Sequence, residues 1–134
     1  AKGIIKEVQA MEHVVVDDVM MLPMPVTPDI TIQHFIDNIL PMNRHSVFPV
    51  AVNRKLHGMF VLDELRSIDR TTWRTVSIKD VMRPVEAGHF VETGTSLPEA
   101  KEIARTNGIG VVAVTDISGN LVGFIHGLSV RIKR

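Results

Sequence analysis

Residues 46–65 read Ser-Val-Phe-Pro-Val-Ala-Val-Asn-Arg-Lys-Leu-His-Gly-Met-Phe-Val-Leu-Asp-Glu-Leu: two short apolar runs on either side of Asn53-Arg54-Lys55, ending on the carboxylates Asp63 and Glu64. Val47 to Val52 is β-branched and apolar at successive positions where a half-exposed strand would alternate, so both of its faces need cover from other elements. Asn53-Arg54-Lys55 is a turn, and it folds Leu56 to Val61 back on the first run as a hairpin. Leu62 to Ile68 follows as a short helix, in whose first turn Asp63 and Glu64 are favoured by the helix dipole irrespective of any ligand.

Upstream, Thr31 to Leu40 places Ile32, Phe35, Ile36, Ile39 and Leu40 on one helical stripe. Pro28 and Asp29 supply the turn before it, and the Thr31 hydroxyl can accept a bond from a first-turn amide as the N-cap. The same order then recurs. Ser96-Leu97-Pro98-Glu99-Ala100 is an N-cap with proline in the first turn and Glu99 at the reciprocal capping position, ahead of Ala100, Ile103 and Ala104, and Asn107-Gly108 ends that helix. Gly110 to Val114 and Leu121 to His126 repeat the hairpin about a turn at Asp116 to Asn120, and Gly127 to Ile132 is a weaker last helix because of its glycine.

The spacing makes this an internal repeat. Asp18-Val19-Met20 returns as Asp80-Val81-Met82, an offset of 62, while Val26 and Gly58 return as Val91 and Gly123, both at an offset of 65. Valine and glycine are therefore 32 residues apart in each copy. Equal spacing with the same order of periodicities describes two copies of one β-α-β-β-α unit. One copy has too little core to stand alone, so the two are expected to pack sheet to sheet about a pseudo-two-fold axis and leave paired clefts.

The rest of the chain narrows the function. At 134 residues and 45% hydrophobic it can bury a real core, and 15 basic against 15 acidic residues advertise no face for nucleic acid or anionic lipid. Cysteine is absent, which excludes disulfide scaffolds and thiolate chemistry and fits a reducing compartment. Val47 to Val52 and Gly108 to Val114 are far too short to span a bilayer, so this piece makes no membrane contact and a cytoplasmic location is expected. The chain starts at Ala1 with no signal-peptide pattern, as expected of a piece cut from a longer protein. No two of the six histidines have the i, i+4 spacing of a helical metal pair, and neither a Gly-rich phosphate loop nor a spaced serine, histidine and carboxylate set occurs. Neither a metal site nor an activity of its own is expected. Six of the seven methionines (Met20, Met21, Met24, Met42, Met59 and Met82) are expected as adaptable filler for a core poor in aromatics, and Trp73 as the anchor of the segment between the repeats by burying its ring.

Asp-Val-Met ahead of each unit, the Phe-Pro-Val strand and the Gly-Met-Phe-Val-Leu-Asp-Glu-Leu segment together resemble a tandem pair of CBS domains, the Bateman module, over about Val16 to Val130. The resemblance implies an α+β fold of two tandem β-α-β-β-α repeats: a connecting segment at 1–15, repeat 1 at 16–68, a linker at 69–76 and repeat 2 at 77–134. It implies a regulatory module without a required cofactor that senses AMP, ADP, ATP or S-adenosylmethionine, forms a homodimer and controls an attached domain of the same polypeptide. Residues 67–77 are similar to the linker of CBS pairs fused to membrane-embedded zinc metalloproteases of the site-2 type, whose chemistry would lie upstream, with Ala1 to Val14 a connecting helix.

In nucleotide-binding CBS domains a Gly-apolar-apolar-Thr-x-x-Asp pattern places an aspartate on the ribose hydroxyls and a threonine near the phosphates. A carboxylate can accept from both ribose hydroxyls, and a hydroxyl beside a helix N-terminus can donate to phosphate. Here the first unit has Glu64 at the ribose position, Val61 where threonine is expected, and Asp63 as an added charge. Two adjacent carboxylates repel a phosphate unless lysine, arginine or a cation intervenes, so a phosphate-free adenosyl ligand is expected there. The second unit has His126 for the threonine and Ser129 for the aspartate, which weakens the ribose clamp while His126 can still meet a phosphate. Apolar walls for adenine would come from Met24, Pro25 and Val26 with Val47, Phe48 and Pro49, and from Val85, Val111 and Val112. These serve equally well as core. The competing reading is a structural dimerisation module whose clefts have lost their ligand.

Overall fold

The computed structural model of the chain describes residues 13–127. The described residues divide into two compact units, one of residues 24–85 and one drawn from 13–23 together with 86–127. The sequence repeats and the compact units do not coincide, because each Asp-Val-Met segment belongs to the unit formed by the other repeat. The connecting helix expected at Ala1 to Val14 and the last helix expected at Gly127 to Ile132 lie outside the described residues, apart from His13, Val14 and Gly127.

Within residues 24–85, strands β1 (Val47–Val52) and β2 (Lys55–Val61) form the expected hairpin. Val52 pairs with Lys55, so the turn is Asn53-Arg54 alone, and both residues hold positive φ, at 51° and 70°. That is the turn whose twist matches the strands. Val26 joins β1 by a single parallel bridge to Val50, its N–H donating to the Pro49 carbonyl at 2.9 Å.

The expected helix starts on its cap, with the His34 N–H donating to Thr31 Oγ1 at 3.1 Å. It is not a uniform α-helix: the turn Ile32–His34 widens to a π turn over Phe35–Ile39 and tightens to a 3₁₀ turn over Leu40–Met42. Pro41 has no N–H to continue the ladder, which accounts for its end after the π turn. Asn43 then takes up the loose carbonyls, its side-chain amide donating to Ile39 O at 2.8 Å and its N–H to Leu40 O at 3.2 Å. The predicted stripe faces inward all the same: Ile32 and Phe35 are fully buried, and Ile36, Ile39 and Leu40 pack against the same core. Phe35 meets the rings of Phe48 and Phe60 edge-on, with centroids 4.9 and 5.1 Å away.

Leu62–Ser67 is a 3₁₀ segment. A second, Arg70–Thr72, is capped by Asp69, which accepts from the Thr71 N–H at 3.0 Å, the main reason its carboxyl titrates below the usual aspartate value. Trp73 is half-buried against the core, donates from Nε1 to Ile68 O at 3.3 Å, and carries the Arg70 guanidinium 5.3 Å from its ring centre. The short helix Ile78–Val81 buries Ile78 completely and leads into β3 (Arg83–Pro84), antiparallel to β2 through Gly58↔Pro84 and Met59↔Arg83.

In the other unit the helix Val16–Val19 buries Val16 in a cluster with Leu97, Ala100, Ala104, Val112, Val114 and Ile125. Strand β4 (Phe90–Glu92) runs parallel to β5 (Val111–Thr115), and β6 (Leu121–His126) runs antiparallel to β5. The helix Leu97–Thr106 starts and ends where expected: Ser96 Oγ accepts from the Glu99 N–H, Pro98 lies in the first turn, and Asn107 closes it, but the reciprocal bond from the Ser96 N–H to the Glu99 carboxylate is not formed. Asp116 holds the β5–β6 turn by accepting from the Ser118 and Asn120 N–H groups, both at 2.9 Å.

One contact recurs in both units and explains why glycine and Asp-Val-Met recur together. A Cβ on Gly58 would stand 2.5 Å from the Arg83 carbonyl oxygen and 2.9 Å from Met82 Sδ, and a Cβ on Gly123 would meet the Met20 side chain, 2.7 Å from its Cγ and 2.9 Å from its Cβ. Each glycine is the gap into which the segment from the other repeat fits.

Candidate functional site

Strand β2 ends at Val61, and the chain tightens at once into the Leu62–Ser67 turn, presenting Asp63 and Glu64 at its start. The two carboxylates meet different surroundings. Asp63 lies 3.2 Å from Arg66 Nε, but the side chains are 75% and 86% exposed, so solvent screens the pair. Glu64 is 34% exposed and receives two charge-assisted bonds from Arg83, from Nε at 3.0 Å and Nη2 at 2.8 Å. Both end on Oε2, which leaves Oε1 with no hydrogen bond among the described residues.

Arg83 is the partner of Glu64 that sequence reasoning missed. The adjacent carboxylates called for an intervening basic group, yet Arg83 is 19 residues from Glu64 along the chain. Only the crossing of Ile78–Val81 and β3 into this unit brings it there. The one signal was its place directly after Asp80-Val81-Met82, where the offset of 62 sets Met21 opposite it in the other copy. Met21 instead forms a backbone bridge to Phe124, with no charge to offer.

Most of the candidate adenine walls are core in this structure. Phe48 and Val112 have no exposed surface, and Val26, Val47 and Val111 retain 2–3%. Pro49 is buried too, and its carbonyl is already taken by Val26. Of the candidates in this unit, Asp63, Met24 and Pro25 are exposed, and Glu64 and Val85 are partly buried.

In the second unit, Ser129 lies outside the described residues. His126 is partly buried at the end of β6, its ring edge-on to Phe124 at 5.2 Å and its carbonyl accepting from Lys101 Nζ at 2.9 Å. Lys101 is only 8% exposed, and desolvation lowers its pKa. A buried ammonium thus anchors the strand end that carries the second candidate site.

Two surface grooves belong to residues 24–85. One of about 470 Å³ is lined by Leu40, Pro41, Arg44, His45, Ser46 and Leu62, and one of about 220 Å³ by Leu65, Arg66, Ile68, Arg70 and Trp73. Neither is lined by Glu64 or Arg83. Among the described residues no group of three His, Asp or Glu side chains converges as a metal site requires, and no helix is long and apolar enough to cross a membrane.

Residues 77–127 match the family model of the CBS domain. No curated protein matches the chain. Among solved structures it is similar to the CBS domain of the bacterial CNNM/CorC family Mg2+ transporter in complex with ATP, at 15% identity and a TM-score of 0.79 over 91% of this chain and 87% of that one. A hemolysin-like protein containing a CBS domain from Oenococcus oeni PSU is similar at 20% identity and a TM-score of 0.74, over 91% and 90% of the two chains. The CBS-pair protein CBSX2 from Arabidopsis thaliana is similar at 19% identity and a TM-score of 0.72, over 85% and 89%. The chain therefore has the mixed α and β fold of a tandem CBS pair, and its second repeat is recognisable as a CBS domain from sequence.

Proposed function

We propose that the chain is a regulatory module without catalysis of its own, which binds an adenosyl ligand (AMP, ADP, ATP or S-adenosylmethionine) and controls an attached domain of the same polypeptide. The observation that carries this reading is Glu64: a half-buried carboxylate at the ribose position implied by the CBS resemblance, held by Arg83 on one oxygen and open on the other. The fold shared with a CBS domain in complex with ATP supports it. We assign the module to the cytoplasm, as a homodimer, and take the attached domain to be the membrane-embedded zinc metalloprotease suggested by residues 67–77.

The test is calorimetric titration of the chain with the four ligands, beside the Glu64→Gln variant. Saturable binding of at least one, weakened in the variant, is expected; four flat titrations would sink the reading. A structural dimerisation module is the alternative, favoured by Val61 and His126 standing where threonine is expected. It predicts flat titrations together with a dimer by sedimentation.

A further inference from the structure

We infer that Arg83 makes the site at Glu64 selective for a phosphorylated adenosyl ligand over a phosphate-free one. The inference rests on the adenosyl reading above and reverses the preference that Asp63 and Glu64 suggest by themselves. Both bonds from Arg83 converge on Glu64 Oε2, so the two Nη1 hydrogens and the second on Nη2 have no partner among the described residues, and neither has Glu64 Oε1. The side chains are 40% and 34% exposed, so solvent reaches both. A free acceptor therefore stands beside free, permanently charged donors in a fork that matches phosphate oxygens.

A nucleoside 5′-phosphate has a hydroxyl for the first and an anion for the second. Adenosine can use only the acceptor, and S-adenosylmethionine sets a sulfonium where the nucleotide has its first phosphate, with its single carboxylate further out and beside an ammonium. The remaining carboxylate, Asp63, is matched by Arg66 and open to solvent, which limits its repulsion of a phosphate. Arg83 is held in place through its backbone, since its carbonyl packs over Gly58 and its residue pairs with Met59. Only its side chain is left to adjust to a ligand. The equivalent position in the other copy, Met21, supplies no such group, so the selectivity belongs to one of the two units.

The experiment is calorimetry on the whole chain with ADP and adenosine, for wild type, Arg83→Met and Arg83→Lys, each checked for folding by its thermal melt. Wild type should bind ADP at least about tenfold more tightly than adenosine, the scale of one charged hydrogen bond. Arg83→Met should bring the two ligands within about threefold of each other with little change for adenosine, and Arg83→Lys should fall between, keeping charge without the fork. If wild type binds both ligands equally, or Arg83→Met keeps the wild-type ratio, the inference is wrong while the adenosyl reading stands. If wild type binds no adenosyl ligand, both fall. The wild-type ratio and Arg83→Lys decide the matter even if Arg83→Met does not fold.

Discussion

Replacing Gly58 by alanine should be among the most damaging single-methyl changes in the chain. The new Cβ would stand 2.5 Å from the Arg83 carbonyl oxygen, 3.3 Å from the Arg83 carbonyl carbon and 2.9 Å from Met82 Sδ. The sulfur can swing away, but the carbonyl belongs to β3, which has to retreat by about 1 Å to restore ordinary contact. That retreat loosens Gly58↔Pro84 and Met59↔Arg83 and draws Arg83 away from Glu64. Overpacking costs about 1–3 kcal/mol, and loss of a pair this exposed adds no more than about 1 kcal/mol, so the expected loss is about 1–4 kcal/mol. At roughly 3 °C per kcal/mol for a chain of this size, the melting temperature should drop by about 3–12 °C. Gly123→Ala is the matched comparison. Its Cβ meets the Met20 side chain rather than a backbone carbonyl: rotation carries the Met20 Sδ and Cγ away and leaves only the Met20 Cβ, at 2.9 Å, to a small backbone shift, so the loss should stay near 1–2 kcal/mol. Urea unfolding of both variants by circular dichroism measures the order. A Gly58→Ala variant within about 0.5 kcal/mol of wild type, or one less damaging than Gly123→Ala, would refute the claim that these glycines make room for the crossing segments.

Arg54→Gly should stabilise the chain by up to about 1 kcal/mol, because a side chain at φ 70° carries a steric penalty that glycine lacks; a lower urea midpoint would contradict this. Asp116→Ala removes the acceptor of the Ser118 and Asn120 N–H groups and should cost about 1–2 kcal/mol by the same assay. Lys101 has its folded pKa lowered by desolvation, so the unfolded chain binds the extra proton; its penalty is full below the folded pKa and disappears as pH rises from there towards the unfolded value near 10.4. Stability measured against pH should therefore gain a rising component in that alkaline window, and Lys101→Met should lack it.

The repeat was readable because short-range chemistry and spacing agreed. Thr31, Ser96 and Asn107 cap the elements their side chains predict, and the β1–β2 and β5–β6 hairpins have the expected strands. Local reading failed where a backbone group had no partner to offer. Pro41 ends the helical ladder, and the stripe from Ile32 to Leu40 survives because burial depends on which residues face inward and tolerates π and 3₁₀ turns. The site was half legible. Glu64 follows from its distance to Gly58, but its partner is reached only through a crossing that no local pattern encodes. The apolar walls were ambiguous because a strand covered on both faces and an adenine pocket demand the same residues, and Phe48 at zero exposure is committed to Phe35.

That crossing bears on how a ligand at Glu64 could matter to the rest of the chain. A ligand changes a protein only to the extent that it interacts differently with two of its states, so the groups it contacts determine what it can bias. Glu64 sits on the segment that follows β2, whereas Arg83 sits on β3, the last strand before the chain leaves this unit after Val85. A ligand that merely replaced solvent around Glu64 would leave β3 alone. One that draws hydrogen bonds from Arg83 loads the strand whose carbonyl is wedged over Gly58, where β3 cannot move towards β2 without collision and cannot retreat without giving up its pairing. Phosphate recognition by Arg83 would therefore act on the exit of the polypeptide from its unit, and the Arg83→Met and Gly58→Ala variants should prove non-additive when combined, since both act through the same strand.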